Sequence, residues 1–119
     1  MLINLSNHPS DQWGEKQRAC AAVYGEILDM RFPQIDPCAS SEDIDKLVGS
    51  CYERIMAYGK PAVMLQGEYI FTYRLVTRLK AAGITVLAGC SARRTTEYVN
   101  EDGKTIKKSE FEFVGFKEY

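Results

Sequence analysis

Apolar runs and amphipathic segments alternate along most of the chain. Residues 62–65 and 84–88 are short and almost fully apolar, and so are residues 2–5 apart from Asn4. Runs of this kind are typical of parallel strands that are buried on both faces. Residues 27–32 instead alternate apolar and polar side chains, which predicts a half-exposed strand near the edge of the sheet.

Three segments between these runs carry the signals of amphipathic helices. The clearest begins after Ser40 or Ser41, where a serine oxygen can accept a first-turn N–H, and its apolar side chains recur at helical spacing. A second helix is predicted from about residue 12 to 24 and a third from about residue 69 to 82. A glycine follows each of these two segments, as is usual at a helix C-terminus.

The order of strands and helices predicts a parallel sheet with helices on both faces, because crossovers between parallel strands are right-handed. Two further strand-like runs, 95–99 and 104–116, flank a polar turn and predict an antiparallel β-hairpin. The predicted fold is an α/β, Rossmann-like three-layer sandwich with a mainly parallel four-stranded sheet and a C-terminal β-hairpin. Its parallel strands are expected near residues 2–5, 27–32, 62–66 and 84–89. We expect a single domain over residues 1–119, with the core at 1–92 and the hairpin at 93–119.

Composition places the chain among ordinary globular domains and limits the classes of partner that it is expected to bind. The 119 residues suit one domain, and 45% of them are hydrophobic. Lys and Arg number 15 against 16 Asp and Glu, a net charge of −1. This balance argues against binding long nucleic acid, which needs a basic face. No apolar run approaches the ~18 residues of a membrane span, so we expect no membrane partner.

The cysteines and the histidine bear on location and on metal binding. Four cysteines are scattered without a CxxC pair, and His8 is the only histidine. Structural zinc sites use closely spaced pairs of such ligands, so we expect no metal and no other cofactor. Scattered cysteines without an N-terminal signal sequence indicate a cytoplasmic protein with reduced thiols.

Three polar turns follow strands of the predicted parallel sheet, and they should meet at the edge where α/β proteins bind ligands. The turn at residues 6–10 precedes a helix whose N-terminal N–H groups favour phosphate. The turn at residues 66–69 has a glycine that lets a ligand approach the backbone, and the turn at 90–94 carries arginine, which suits phosphate recognition. The candidate ligand-contacting residues are Ser6, Asn7, His8, Gln66, Gly67, Glu68, Ser91 and Arg93.

Each turn also has a simpler structural interpretation. The first is compatible with a capped loop and a surface histidine, the second with a tight turn and a helix cap, and the third with an exposed basic turn. Glu68 fits either a base or a first-turn carboxylate that favours the helix dipole. Arg93 and Arg94 alternate on an extended segment, so at most one should face the site. Asp29 and Arg31 are predicted to be surface groups.

Part of this pattern resembles the CRISPR-associated Rossmann-like domains. The similar features are Gly67-Glu68, the helical residues 72–79, and the strand at 83–89 that ends in Cys90-Ser91-Ala92-Arg93. They cover about a third of the chain. Domains of that family bind cyclic oligoadenylates as symmetric dimers, and small stand-alone members called ring nucleases also cleave them. The resemblance therefore implies a nucleotide-binding homodimer in antiviral defence, with a cyclic oligoadenylate as its ligand.

The resemblance also implies a metal-independent phosphodiesterase. In a ring nuclease, a ribose 2′-hydroxyl attacks its own neighbouring phosphate and leaves a 2′,3′-cyclic phosphate, while the protein positions the strand and stabilises charge. By analogy, Ser6, Asn7 and Gly67 would hold the phosphates. Arg93 would stabilise the transition state, and His8 would act as acid or base.

Two other functions fit the same residues, since a fold does not determine a function. One is a nucleotide-binding or sequestering module that has the same pocket and no catalysis. The other is a small nucleoside- or nucleotide-processing enzyme in which Glu68 is the nucleophile or base.

Overall fold

The computed structural model describes residues 1–119 and has an α/β fold. Its alternation of strands and helices follows the sequence prediction as far as the fourth strand. The elements are β1 (Leu2–Ser6), α1 (Glu15–Ala22), β2 (Ile27–Arg31), α2 (Ser41–Met56), β3 (Ala62–Leu65), α3 (Tyr69–Ala81), β4 (Val86–Val99) and β5 (Thr105–Glu118).

The five strands form one sheet in the order β2-β1-β3-β4-β5. The first four are parallel, and β5 runs antiparallel to β4. The predicted number of four strands is therefore wrong, because the C-terminal hairpin is continuous with the sheet. The chain from residue 86 to 99 is one strand that serves both as the last parallel strand and as the first strand of the hairpin. β2 lies at the other edge, as its alternating pattern predicted.

Alternate residues of the central strands face two separate hydrophobic cores. Ile3 and Leu5 of β1 are buried in the core that α2 and α3 cover. Leu2 of β1 and Met64 of β3 belong to the smaller core beside α1. Helices therefore cover both faces of these strands, which explains why their buried residues are apolar apart from Asn4. None of the helices is long and apolar enough to cross a membrane.

The first helix is shorter than its pattern predicted. The chain after β1 makes a 3₁₀ turn at Ser10–Gln12, and α1 begins only after Gly14. Trp13 lies between the two in extended backbone. Its ring is 7% exposed and packs on the ring of Phe116 from β5, with the ring centroids 6.3 Å apart. This long-range contact favours extended backbone at Trp13 over a continuous helix.

Beyond the core, β4 and β5 continue as a two-stranded projection that we call the arm (residues 92–112). Each strand has 14 residues, and most side chains of the arm are exposed. The radius of gyration is 17.6 Å, against roughly 13.5 Å for a compact chain of this length. Tyr98, Val99 and Phe111 are large apolar side chains that the arm exposes. The predicted hairpin is confirmed, but most of it projects from the core and does not pack on it.

Candidate functional site

The carboxyl ends of β1 and β3 meet residues 89–91 of β4 at one edge of the sheet. The Gln66 N–H donates to the Leu5 carbonyl at 3.3 Å, so Ser6 and Gln66 are neighbours at this edge. A cavity of about 380 Å³ opens beside them, and we call it the edge cavity. It brings together four predicted site residues, namely Ser6, His8, Gln66 and Ser91. The other lining residues are Gln12, Trp13, Gly14, Gln17, Met64, Gly89 and Phe113.

A buried asparagine holds the loop that carries the histidine. Asn4 is 1% exposed, and its side-chain amide N–H groups donate to the His8 carbonyl and to Asp29 Oδ1, both at 2.8 Å. Its Oδ1 accepts the Ser6 hydroxyl at 2.7 Å. A buried amide must find such partners, because an unsatisfied polar group in a core is costly. Asn4 therefore fixes the course of the chain after β1, although the sequence showed it only as one polar residue in an apolar strand.

Asp29 is more than the surface group predicted for it. Its carboxylate accepts the Ser10 backbone N–H at 3.1 Å and the Ser10 hydroxyl at 2.9 Å, in addition to the amide of Asn4. Asp29 lies on β2 and Ser10 begins the 3₁₀ turn. The charge-assisted bonds therefore tie the loop after β1 to the neighbouring strand. Because β1 and β2 pair with Asn4 opposite Asp29, this contact follows from strand register.

The loop places the imidazole of His8 at the rim of the edge cavity. The Ser6 hydroxyl accepts the His8 backbone N–H at 3.2 Å, which closes a tight turn. The His8 side chain is exposed and makes no hydrogen bond within the chain. Its imidazole is therefore accessible to a bound ligand, and it is the only readily ionisable side chain that lines the cavity.

The Gln66 side chain extends the sheet beyond its backbone ladder. Its Nε2 donates to the Gly89 carbonyl at 3.3 Å, and its Oε1 accepts the Gly89 N–H at 3.1 Å. A Cβ at position 89 would lie 3.0 Å from that oxygen, so the glycine leaves room for the amide. Gln66 thereby ties the end of β3 to β4 at Gly89. It presents a bonded amide, not a free one, to the edge cavity.

Arg93 lies outside the edge cavity, on the arm. Residues 89, 91 and 93 point to one face of β4, since side chains alternate along a strand. Arg93 therefore shares a face with Ser91, at a Cα separation of roughly 7 Å. Its guanidinium donates to the Ser109 hydroxyl at 3.2 Å across the arm. Arg94 points to the opposite face and forms an ion pair with Glu112.

Packing explains why glycine stands at position 67, and the sequence did not reveal this. A Cβ at this position would overlap the ring of Phe32. That ring is buried and packs edge-to-face on the ring of Phe71, with centroids 5.1 Å apart. The glycine thus allows the turn after β3 to lie against the aromatic pair.

Glu68 and Asn7 lie apart from the edge cavity as well. The two carboxylate oxygens of Glu68 accept the N–H groups of Ile70 and Phe71 at 2.7 and 3.0 Å, which caps α3. Asn7 and Glu68 both line a more open cavity of about 640 Å³ beside residues 32–36. Glu68 therefore has a structural function as a helix cap.

An aromatic wall that the sequence did not predict completes the edge cavity. Trp13 and Phe113 line it, and each packs against Phe116, with ring centroids 6.3 and 5.1 Å apart. The two phenylalanines come from the returning strand of the hairpin, far from the other lining residues in sequence. The place of Phe113 in the cavity, and of Phe116 behind it, depends on the pairing of β5 with β4 and was not recognisable from local pattern.

Comparison with known proteins gives a family but no named relative. A search of curated proteins finds no match to this chain. One family model matches residues 1–117, which is nearly the entire sequence. The chain therefore belongs to the uncharacterized protein MJ1673 family.

Proposed function

We propose that the edge cavity binds a nucleotide. The observation that carries this proposal is the convergence of two serine hydroxyls, three glutamines and one imidazole on an aromatic wall. Hydroxyl and amide groups hydrogen-bond the phosphate and sugar oxygens of nucleic acids, and aromatic rings stack on bases. Gly14, at the N-terminus of α1, lines the same cavity and adds the positive end of a helix.

The position of Arg93 favours a ligand longer than a mononucleotide. Ser91 lines the edge cavity, whereas Arg93 lies two residues further along the same face of β4, where the arm begins. An oligonucleotide seated in the cavity can extend a second phosphate toward this guanidinium, which is the strongest phosphate donor type among side chains. This arrangement, together with the sequence resemblance, supports a cyclic oligoadenylate as the ligand.

Cleavage of such a ring requires no metal and no nucleophile from the protein, because the attacking group belongs to the ligand. The ribose 2′-oxygen forms a bond to phosphorus while the bond from phosphorus to the 5′-oxygen breaks, leaving a 2′,3′-cyclic phosphate and a 5′-hydroxyl. The proton that the 2′-hydroxyl loses is balanced by the one that the 5′-oxygen gains. His8 is placed to transfer one of these protons, and Arg93 to stabilise the charge on phosphorus.

A homodimer is part of this proposal. A cyclic oligoadenylate with twofold symmetry would be matched by two copies of the edge cavity. The arm supports self-association, because it projects from the core and its large apolar side chains Tyr98, Val99 and Phe111 are 54%, 68% and 76% exposed. Large exposed apolar surface is typical of interaction sites.

Binding without catalysis is the second candidate. It is favoured by the fact that the edge cavity contains only one readily ionisable side chain, His8, so a complete acid–base pair is not present there. The third function, with Glu68 as nucleophile or base, is less well supported. The oxygens of Glu68 cap α3, and the residue lies outside the edge cavity.

Calorimetry with cyclic oligoadenylates and their linear counterparts tests the binding proposal. Arg93→Ala should weaken binding roughly ten- to hundredfold, since it removes a charge-assisted contact of about 1.5–3 kcal/mol. Arg94→Ala is the matched control, because this arginine points to the other face and pairs with Glu112. Equal effects of the two substitutions, or no binding by the wild type, would contradict the proposal.

Turnover is tested separately from binding. His8→Ala should leave affinity unchanged and slow cleavage by about 10²-fold. A chelator should not alter the rate, and the products should end in 2′,3′-cyclic phosphates. If the wild type binds the ring tightly and releases no product, the protein is the binding module and the catalytic part of the proposal is wrong.

A further inference from the structure

The outer edge of β5 has no partner within the chain. β5 is the last strand of the sheet and pairs only with β4. Its 14 residues include no proline, which would interrupt a hydrogen-bonded ladder. Such an edge presents a row of free N–H and C=O groups that can pair with a strand of another chain. Natural proteins usually shorten or interrupt an edge strand, so a regular free edge of this length calls for an explanation.

Hydrogen bonds within the hairpin decide which residues of β5 face this edge. The Asn100 N–H donates to the Lys104 carbonyl at 2.9 Å, so residues 100 and 104 form a hydrogen-bonded pair. Hydrogen-bonded and non-hydrogen-bonded pairs alternate in an antiparallel ladder, and the register is regular along the arm. Thr95 and Ser109 are therefore a non-hydrogen-bonded pair. It follows that the odd-numbered residues from 105 to 113 point their backbone N–H and C=O groups outward.

The charges of this stretch are arranged for pairing with a second copy of itself. Lys107 and Lys108 precede Ser109, and Glu110 and Glu112 follow it. Two antiparallel copies of β5 bring the basic half of each against the acidic half of the other, whereas parallel copies bring like charges together. Opposite charges across a strand pair are favourable and like charges are unfavourable. Lysines on an edge strand commonly prevent pairing, but here the carboxylates that follow them offset their charge.

The same charges select one register. A twofold axis beside Lys108 would set this lysine against its own copy, and an axis beside Glu110 would set two carboxylates together. An axis beside Ser109 instead sets Lys108 of each copy against Glu110 of the other. These two side chains are exposed on one face of the arm and form an ion pair at 2.9 Å within the chain. Pairing would therefore join two such ion pairs into one network of four charges.

We propose that a second copy of this chain binds along the outer edge of β5, antiparallel and with Ser109 at the twofold axis. The five strands of each copy then form one continuous sheet. This inference names the contact surface of the homodimer proposed above and rests on that homodimer, but it does not depend on a nucleotide. The free edge of β4 is shorter, because β3 pairs with Val86 and Leu87 and the Gln66 side chain bonds Gly89.

Cysteine cross-linking locates the interface. Ser109→Cys places two thiols beside the axis with their Cα atoms about 5.5 Å apart, a separation that a disulfide spans. After oxidation, this variant should run as a covalent dimer on a non-reducing gel. Thr95→Cys is the matched control, because Thr95 lies directly opposite Ser109 on β4 and is equally exposed to solvent by class. The wild type, with its four free thiols, gives the background.

Charge reversal tests the register. Lys108→Glu should weaken dimerisation about tenfold in sedimentation, because two attractions across the axis become two repulsions. Lys46→Glu is the control, since Lys46 is an exposed lysine of α2. Glu110→Lys should weaken dimerisation as Lys108→Glu does. An equimolar mixture of these two variants should associate again, because each acidic strand then faces a basic one.

The outcomes separate this surface from the homodimer itself. A monomeric wild type at micromolar concentration would overturn both. A dimeric wild type would overturn the surface alone if Thr95→Cys cross-links as readily as Ser109→Cys, since that result would place the contact on β4. The surface is also wrong if Lys108→Glu dimerises as well as Lys46→Glu, or if mixing the two charge variants restores nothing.

Discussion

Replacement of Gly67 by alanine separates packing from ligand binding at the turn after β3. The sequence suggested that this glycine lets a ligand approach the backbone, whereas the structure places the Phe32 ring where a Cβ would lie. Phe32 is buried against Phe71, so its ring cannot swing away freely. Gly67→Ala should therefore destabilise the fold whether or not a ligand is present.

The size of the effect follows from the overlap. Of the three nearest ring atoms, even the farthest would lie 2.8 Å from the new methyl carbon, against roughly 3.5–4.0 Å for a normal carbon–carbon contact. Overpacking of a core by one methyl group costs about 1–3 kcal/mol. A loss of about 2 kcal/mol would lower the urea midpoint by roughly 0.7–2 M, given a slope of about 1–3 kcal/mol/M for small proteins.

Urea denaturation at one fixed protein concentration measures this loss. Gly115→Ala is the matched control, because no atom lies within 4 Å of a Cβ built there and its backbone is not left-handed. Its stability should stay within about 0.5 kcal/mol of the wild type. Gly67→Ala is also made in a protein that carries Phe32→Leu, since the shorter leucine side chain lacks the ring atoms that cause the overlap. In that background Gly67→Ala should cost much less.

The reasoning fails if Gly67→Ala is as stable as Gly115→Ala, or if its cost is the same with leucine at position 32. Either result would mean that the turn has room for a methyl group and that Phe32 does not explain the glycine. A folded Gly67→Ala protein that binds nucleotide normally would in turn remove Gly67 from the proposed ligand contacts.

Three further outcomes are expected. The wild type should sediment as a dimer at micromolar concentration and Phe111→Asp as a monomer, because this ring is 76% exposed on the arm; a monomeric wild type would contradict the homodimer and weaken the ring-nuclease proposal. Burial raises the pKa of the Tyr119 hydroxyl, and the neighbouring Cys90 thiol adds to the rise. Folding thus favours the neutral phenol. The free energy of unfolding should therefore fall as the pH rises through about 10, the ordinary pKa of a tyrosine hydroxyl. Urea midpoints measured across that pH range should decline less steeply in Tyr119→Phe than in the wild type. Part of the decline should remain, because burial also raises the pKa of the Cys51 thiol. An equally steep decline in Tyr119→Phe would refute this assignment. Ser40→Ala removes the oxygen that accepts a first-turn N–H of α2 at 3.1 Å and should cost about 1 kcal/mol in the same assay, whereas an unchanged midpoint would show that the cap contributes nothing.

The sequence by itself determined the order of elements and the edge at which a site should lie. The apolar run at residues 62–65 is a local pattern of a strand that is buried on both faces. The amphipathic run of α2 is a local pattern of a helix that is buried on one face. Strand direction then sets the position of the site, because parallel strands bring their carboxyl ends to one edge of the sheet. Ser6 and Gln66 could therefore be placed at one edge without a structure, but their adjacency depends on the pairing of β1 with β3, which the sequence did not predict.

Contacts between residues far apart in the chain were decided only by the tertiary structure. Asp29 binds Ser10, and Gly67 lies against Phe32, because strand register and turn geometry bring them together. Neither pair has a local signature, so sequence reasoning gave the exposed Asp29 no partner and placed Gly67 against a ligand.

The hairpin shows the same limit at the level of the fold. Its alternating residues predicted two strands and a turn, but not that β4 would run unbroken from the core into the arm. That continuity carries Arg93 out of the edge cavity and returns Phe113 to its wall. Strand propensity is local, whereas the length of a strand pair depends on cross-strand hydrogen bonds and packing, which only the folded chain specifies.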